Sequence, residues 1–151
     1  MNEYMDAAVT GTREMLSMMM GIDDSLNIVD SSTDSVFVSG IITFRHGEIN
    51  GQVSLQFPED TGKHLVSLML GIQTDEVDEE SLGDGVGEMV NIVAGQLKTW
   101  FQLDGKDFTI SLPSIIYGMD HQINVFKRNT VLSRVIDFDD RKFMIVLQFG
   151  N

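Results

Sequence analysis

Asp84-Gly85-Val86-Gly87-Glu88-Met89-Val90-Asn91-Ile92-Val93-Ala94-Gly95-Gln96-Leu97-Lys98 is the stretch on which the reading of this 151-residue chain turns. It sits inside a helical run from Glu79 or Leu82 to Phe101. At roughly 100° per residue, Leu82, Val86, Val90, Val93, Leu97 and Trp100 fall on one broad apolar face, the expected core stripe. Asp84, Glu88, Asn91, Gly95 and Thr99 form a narrow line on the opposite side. Glu88 and Asn91 are three residues apart, which makes them surface neighbours with Cβ atoms about 5–6 Å apart. Gly83, Gly85, Gly87 and Gly95 each cost a helix interior about 1 kcal/mol relative to alanine. Two readings of that line stay open on spacing alone. It is an ordinary solvent face whose glycines pack on neighbouring elements, or a bare stripe on which a carboxylate and a carboxamide enter a partner's cleft.

Outward from this helix the pattern is regular. Residues from about Glu3 to Met20 place Met5, Ala8, Val9, Thr12, Met15, Leu16 and Met19 at helical spacing, and Gly21 is a natural stop. Val36 to Phe44 and Gln52 to Phe57 read as strands, joined through the turn residues His46 to Gly51 as a hairpin. A second helix opens at Pro58-Glu59-Asp60 and closes at Gly71, with Leu65, Leu68, Met69 and Ile72 as its expected buried face. The acidic stretch Asp75 to Glu80 is either a solvated helix entry or a surface for a basic partner. Strands are then expected at Phe108 to Leu112, Ile115 to Tyr117, Ile123 to Phe126, Thr130 to Phe138 and Lys142 to Phe149, with Asp139-Asp140-Arg141 as the last turn. The expected fold is α+β: an antiparallel sheet packed with about three helices, one of them long and central. No linker interrupts it, so one domain over residues 1–151 is expected.

Composition narrows the function classes. A formal net charge of -13, with only ten Lys and Arg, repels phosphate backbones and anionic membranes. Neither nucleic-acid binding nor membrane insertion is expected. There is no cysteine, which rules out thiolate catalysis and disulfides and fits a cytoplasmic protein. His46, His64 and His121 have no metal-like spacing with other ligands. The Asp23-Asp24 pair follows a helix rather than a strand, and no later Thr/Ser and Lys completes a receiver-domain constellation.

The central helix resembles the signature helix of the CheC/CheX/FliY family of chemotaxis phosphatases. The family pattern is a small or acidic residue, a Glu four positions on, an Asn three further, and a Pro some twenty residues later. Asp84, Glu88, Asn91 and Pro113 fill those places, and the order of elements matches the family over nearly the whole chain. Neither Glu3 nor Glu14 is followed by Asn at the third position, so a single active helix is expected, the CheX-like pattern. The resemblance implies a CheC-like fold, a homodimer joined through sheet edges and a phosphorylated CheY-type response regulator as partner. It implies no cofactor of the chain's own, with Mg²⁺ held by the regulator.

The chemistry that follows is water positioning. An amide both donates to and accepts from a water without changing charge, so Asn91 is the residue expected to orient the attacking water. Glu88 suits gripping the regulator's active-site lysine. Asp84, Gly87, Ile92 and Gly95 are the expected partner contacts around the pair, and Pro113 shapes the strand that supports the helix. The alternative is a non-catalytic module that docks on a response regulator or a flagellar switch.

Overall fold

Three amphipathic helices share one apolar face of an antiparallel sheet, because that face is the only place where all their apolar stripes can be buried together. The computed structural model describes residues 2–22, 26–29, 35–119, 121–123 and 129–150. In chain order these form α1 (Asn2–Met20), β1 (Asn27–Val29), β2 (Val38–His46), β3 (Ile49–Phe57), α2 (Glu59–Leu70), α3 (Glu79–Phe101), β4 (Phe108–Ile110), β5 (Ser114–Tyr117), β6 (Asn129–Phe138) and β7 (Arg141–Gly150). Short 3-10 turns, Thr74–Glu76 and Gln102–Asp104, precede and follow α3. The strand order is β1-β6-β7-β3-β2-β4. β5 also pairs with β2, so β4 and β5 share one edge, β4 on Phe44–His46 and β5 on Val38–Ile41.

The core lies between the sheet and the helices. Ile42, Val53, Leu55, Phe57, Ile145 and Leu147 meet Ala8, Leu16, Leu65, Val86, Val90 and Val93 there, all fully buried. Gly40 of β2 lets α3 come close: a Cβ at that position would stand 2.9 Å from Val86 Cγ1 and 3.0 Å from Val90 Cγ1. That contact sets both the depth and the rotation of the long helix. A buried polar cluster ties its far end. Tyr4 Oη lies 2.7 Å from His46 Nδ1. The other ring nitrogen of His46 is 2.7 Å from Asp104 Oδ2, a close approach that lacks the alignment of a full hydrogen bond.

Several expectations need correction. The first hairpin turn is only Gly47-Glu48, with His46 paired to Ile49, so both strands run on into residues that look turn-like in sequence. The last turn is Asp139-Asp140, both at positive φ (47° and 60°), the conformation a two-residue hairpin needs. β1 has no counterpart in the sequence reading. It is three residues long, too short to show a period, and it exists because Asn27–Val29 pairs with Val135–Asp137. Leu68 is exposed, because α2 buries Thr61, Gly62, Leu65 and Val66, one step round from the expected face. Trp100 is also exposed, at 55%. Phe101 takes the core position in that turn and stacks on Tyr4 with ring centroids 4.3 Å apart. The expected strand from Ile123 falls mostly on residues 124–126, outside the described residues, as does the Asp23-Asp24 pair.

Candidate functional site

α3 begins at a strong start signal. Asp78 is its N-cap, and its carboxylate accepts a hydrogen bond from the Ser81 backbone N–H at 2.8 Å. That bond holds the Asp78 carboxyl below its ordinary range. Glu79 and Glu80 complement the helix dipole in the first turn, and Lys98 does so in the last. From there the helix runs 23 residues with its apolar stripe on the sheet.

The polar line emerges on the opposite side. Asp84, Glu88, Asn91 and Thr99 are exposed, and Gly95 and Ile92 are half-buried. Ile92 packs against the edge of the core. Among the described residues, no hydrogen bond or ion pair engages the side chain of Glu88 or Asn91. A carboxylate and a carboxamide therefore stand side by side on a rigid helix with their bonding capacity unused by the fold. This arrangement can grip a cation and orient a water at once.

Two walls flank the line, and most of the glycines build them. On one flank a Cβ at Gly85 would stand 2.5 Å from Val66 Cγ2 of α2, and Gly11 of α1 lies against Gln96. On the other, Tyr117 Oη occupies the space a side chain at Gly83 would need, and Ile115 Cδ1 and Pro113 Cγ lie 3.6 and 3.8 Å from the Cβ position of Gly87. Gly83, Gly85 and Gly87 are all buried. The suggestion that this whole set keeps the helix bare for a partner is therefore corrected: Gly83 and Gly85 let β5 and α2 close in, while Gly87 is buried at ordinary contact distance from Ile115 and Pro113. Gly95 differs, because a Cβ there would meet nothing within 4 Å.

Of the residues singled out in the sequence, Asp84, Glu88, Asn91, Ile92 and Gly95 reach the surface along one helix face, and Gly87 lies beneath the Pro113 wall. Pro113 immediately precedes β5, at the flank of the helix. Tyr117 is a participant that the sequence reading did not single out for this site. Its hydroxyl donates to the Glu79 carbonyl at 2.9 Å, tying β5 to the first turn of α3. Burial raises its pKa, helped by the charges of Glu79 and Asp84. No spacing rule could reveal this contact, because it joins residues 38 apart in sequence.

Residues 38–138 match the family model described as chemotaxis phosphatase CheX, a span that includes Glu88, Asn91 and Pro113. The CheY-P phosphatase CheX of Thermotoga maritima is 32% identical over 81 residues, 53% of this chain and 52% of that one. The match thus spans about half the length of that relative. The crystal structure of a chemotaxis protein CheX from Desulfovibrio desulfuricans superposes with a TM-score of 0.79 at 25% identity, covering 98% of this chain and 99% of that one. The CheX in a CheX-CheY-BeF3-Mg²⁺ complex from Borrelia burgdorferi superposes with a TM-score of 0.78 at 21% identity, covering 98% of each chain. At that identity the likeness concerns the fold.

Proposed function

The chain belongs to the CheX family of chemotaxis phosphatases, and on that premise we propose that it hydrolyses the aspartyl phosphate of a CheY-type response regulator. The observation that carries this reading is the pair Glu88 and Asn91, exposed, adjacent and, among the described residues, unengaged on the open stripe of α3. Asn91 holds the attacking water through its amide. The water oxygen bonds to phosphorus while the bond to the aspartyl oxygen breaks, leaving inorganic phosphate and a free carboxylate. The acyl phosphate is already activated, so orientation of the water supplies most of what the reaction lacks. Glu88 pairs with a cationic side chain of the regulator and sets the register in which Asn91 faces the phosphorus. Asp84, Ile92 and Gly95 are the surrounding docking surface, and Gly87, buried under Ile115 and Pro113, backs it from beneath. The chain needs no cofactor of its own in this reading, and Mg²⁺ belongs to the regulator.

Assembly as a homodimer fits the same reading. Among the described residues, β1 covers the outer edge of β6 only at Val135–Asp137, and Val131 farther along that edge is 52% exposed. An open strand edge favours pairing with another strand.

The test is the lifetime of a CheY-type regulator phosphorylated with acetyl phosphate, with and without this protein. Wild type should shorten it. Asn91→Ala should lower the rate by about 10²–10³-fold with little change in binding to the beryllofluoride-bound regulator. A wild type that binds but leaves the lifetime unchanged would make the protein an adaptor rather than a phosphatase.

A further inference from the structure

Leu112 is 87% exposed in the connection between β4 and β5. Its position relative to the Glu88 and Asn91 pair follows from the wall on which it stands. Tyr117 reaches Glu79, Ile115 lies between Gly83 and Gly87, and Pro113 touches the Gly87 flank. Farther back along the chain, Phe108 stacks with Phe101, ring centroids 6.2 Å apart. The β4–β5 segment therefore runs alongside α3 in the opposite direction, which brackets Leu112 between the levels of Gly87 and Phe101, the stretch of α3 that includes Asn91 and Gly95.

The connection is also stiff. Ser111 N donates to the Thr43 carbonyl at 2.9 Å, and Ser111 Oγ accepts from Thr43 N at 3.0 Å. The same hydroxyl donates to the Leu112 carbonyl at 3.0 Å. Pro113 then restricts the leucine before it to an extended conformation. An exposed leucine is ordinary on a protein surface. One held on a pinned platform beside a reactive pair is already in place to meet what that pair meets, with little ordering left to oppose binding.

We propose that Leu112 is an apolar anchor for the phosphorylated response regulator, seated on its surface beside the aspartyl-phosphate cleft, and that it helps select which regulator is accepted. This rests on the phosphatase reading above. A regulator whose phosphoryl group reaches Asn91 must bring its neighbouring surface against the Leu112 wall, so the contact follows from the reaction geometry. The complementary surface is an apolar depression at the rim of the regulator's active site, and a regulator with a charged group there is rejected.

The experiment is steady-state dephosphorylation of CheY-type regulators from the same genome, each phosphorylated with acetyl phosphate. On the best substrate, Leu112→Ser should raise KM about tenfold to a hundredfold, the worth of burying one leucine side chain, and leave kcat unchanged. Leu112→Met should restore KM to near the wild-type value. Leu103→Ser is the control, because Leu103 is 93% exposed but lies beyond the C-terminus of α3, and its KM should not move. An unchanged KM in Leu112→Ser overturns the anchor while leaving the phosphatase reading intact. Equal rises in Leu112→Ser and Leu103→Ser overturn it as well. A wild type that hastens phosphate loss from no regulator overturns both.

Discussion

Gly95→Ala should make this protein more stable, and the size of the gain can be worked from its surroundings. Gly95 lies inside α3, half-buried, at a φ that any residue can adopt. Replacing an interior helical glycine with alanine is worth about 1 kcal/mol when nothing obstructs the methyl. Nothing does here, since a Cβ would find no atom within 4 Å. For a chain of this length the gain corresponds to a rise of about 2–4 °C in Tm. Gly85→Ala supplies the opposing case. It earns the same helix gain, but its Cβ would stand 2.5 Å from Val66 Cγ2 and 3.1 Å from Met69 Cε. Val66 is fully buried and stiff at its branched Cβ, so it cannot move aside, and overpacking costs about 1–3 kcal/mol. The net change for Gly85→Ala is therefore zero to about 2 kcal/mol of destabilisation, combining those two ranges. Urea unfolding followed by circular dichroism measures both variants. If Gly95→Ala loses stability, or Gly85→Ala gains as much as Gly95→Ala, the account of these glycines is wrong. A functional arm follows from the same site. Gly95→Leu should keep the helix and its unfolding midpoint yet block docking of the phosphorylated regulator, and wild-type KM in that variant would remove Gly95 from the docking surface.

Glu88→Ala should weaken binding of a beryllofluoride-bound regulator by more than about tenfold, since it leaves a buried cation unpaired across the interface. Added salt should reproduce only part of that loss, and full mimicry by salt in a titration would argue for a solvent-exposed contact instead. Stability should fall in acid. The Asp78 carboxyl is held low by the Ser81 N–H, and the Asp104 carboxyl by the Lys106 N–H and then His46. Groups with lowered folded pKa values stabilise above their unfolded value near 3.8, and that stability disappears as pH drops through the folded value. Asp78→Ala should therefore flatten the acid limb of unfolding free energy against pH, and an unchanged limb would count against the cap. Light scattering should give a dimer mass at micromolar concentration, whereas a monomer at every accessible concentration would contradict pairing through the β6 edge.

Much of the fold was legible because periodicity survives in the chain. α1, α2 and α3 each carry an apolar stripe at helical spacing, and α1 and α2 also have clear boundary residues: Gly21 ends one, Pro58 and Gly71 bound the other. The paired strands β2–β3 and β6–β7 are long enough to show their character. The readings that failed lie where local pattern is silent about neighbours. Trp100 and Phe101 are equally apolar, and only the stacking of Phe101 on Tyr4 decides which one turns inward. Leu68 lost its place to Val66 because Gly85 opens a space on α3 for the valine.

For the candidate site the division is similar. The sequence alone determined that Glu88 and Asn91 are neighbours on one helix face opposite an apolar stripe, because helix geometry relates residues three apart whatever surrounds them. It also determined the acidic character of the chain, a formal net charge of -13. Tertiary structure alone decided what the glycines are for, since their role depends on atoms that arrive from α1, α2 and β5. It likewise placed Tyr117, Ile115 and Pro113 beside the helix. Contacts between residues far apart in sequence depend on how the sheet and helices pack as a whole, and no local spacing encodes them.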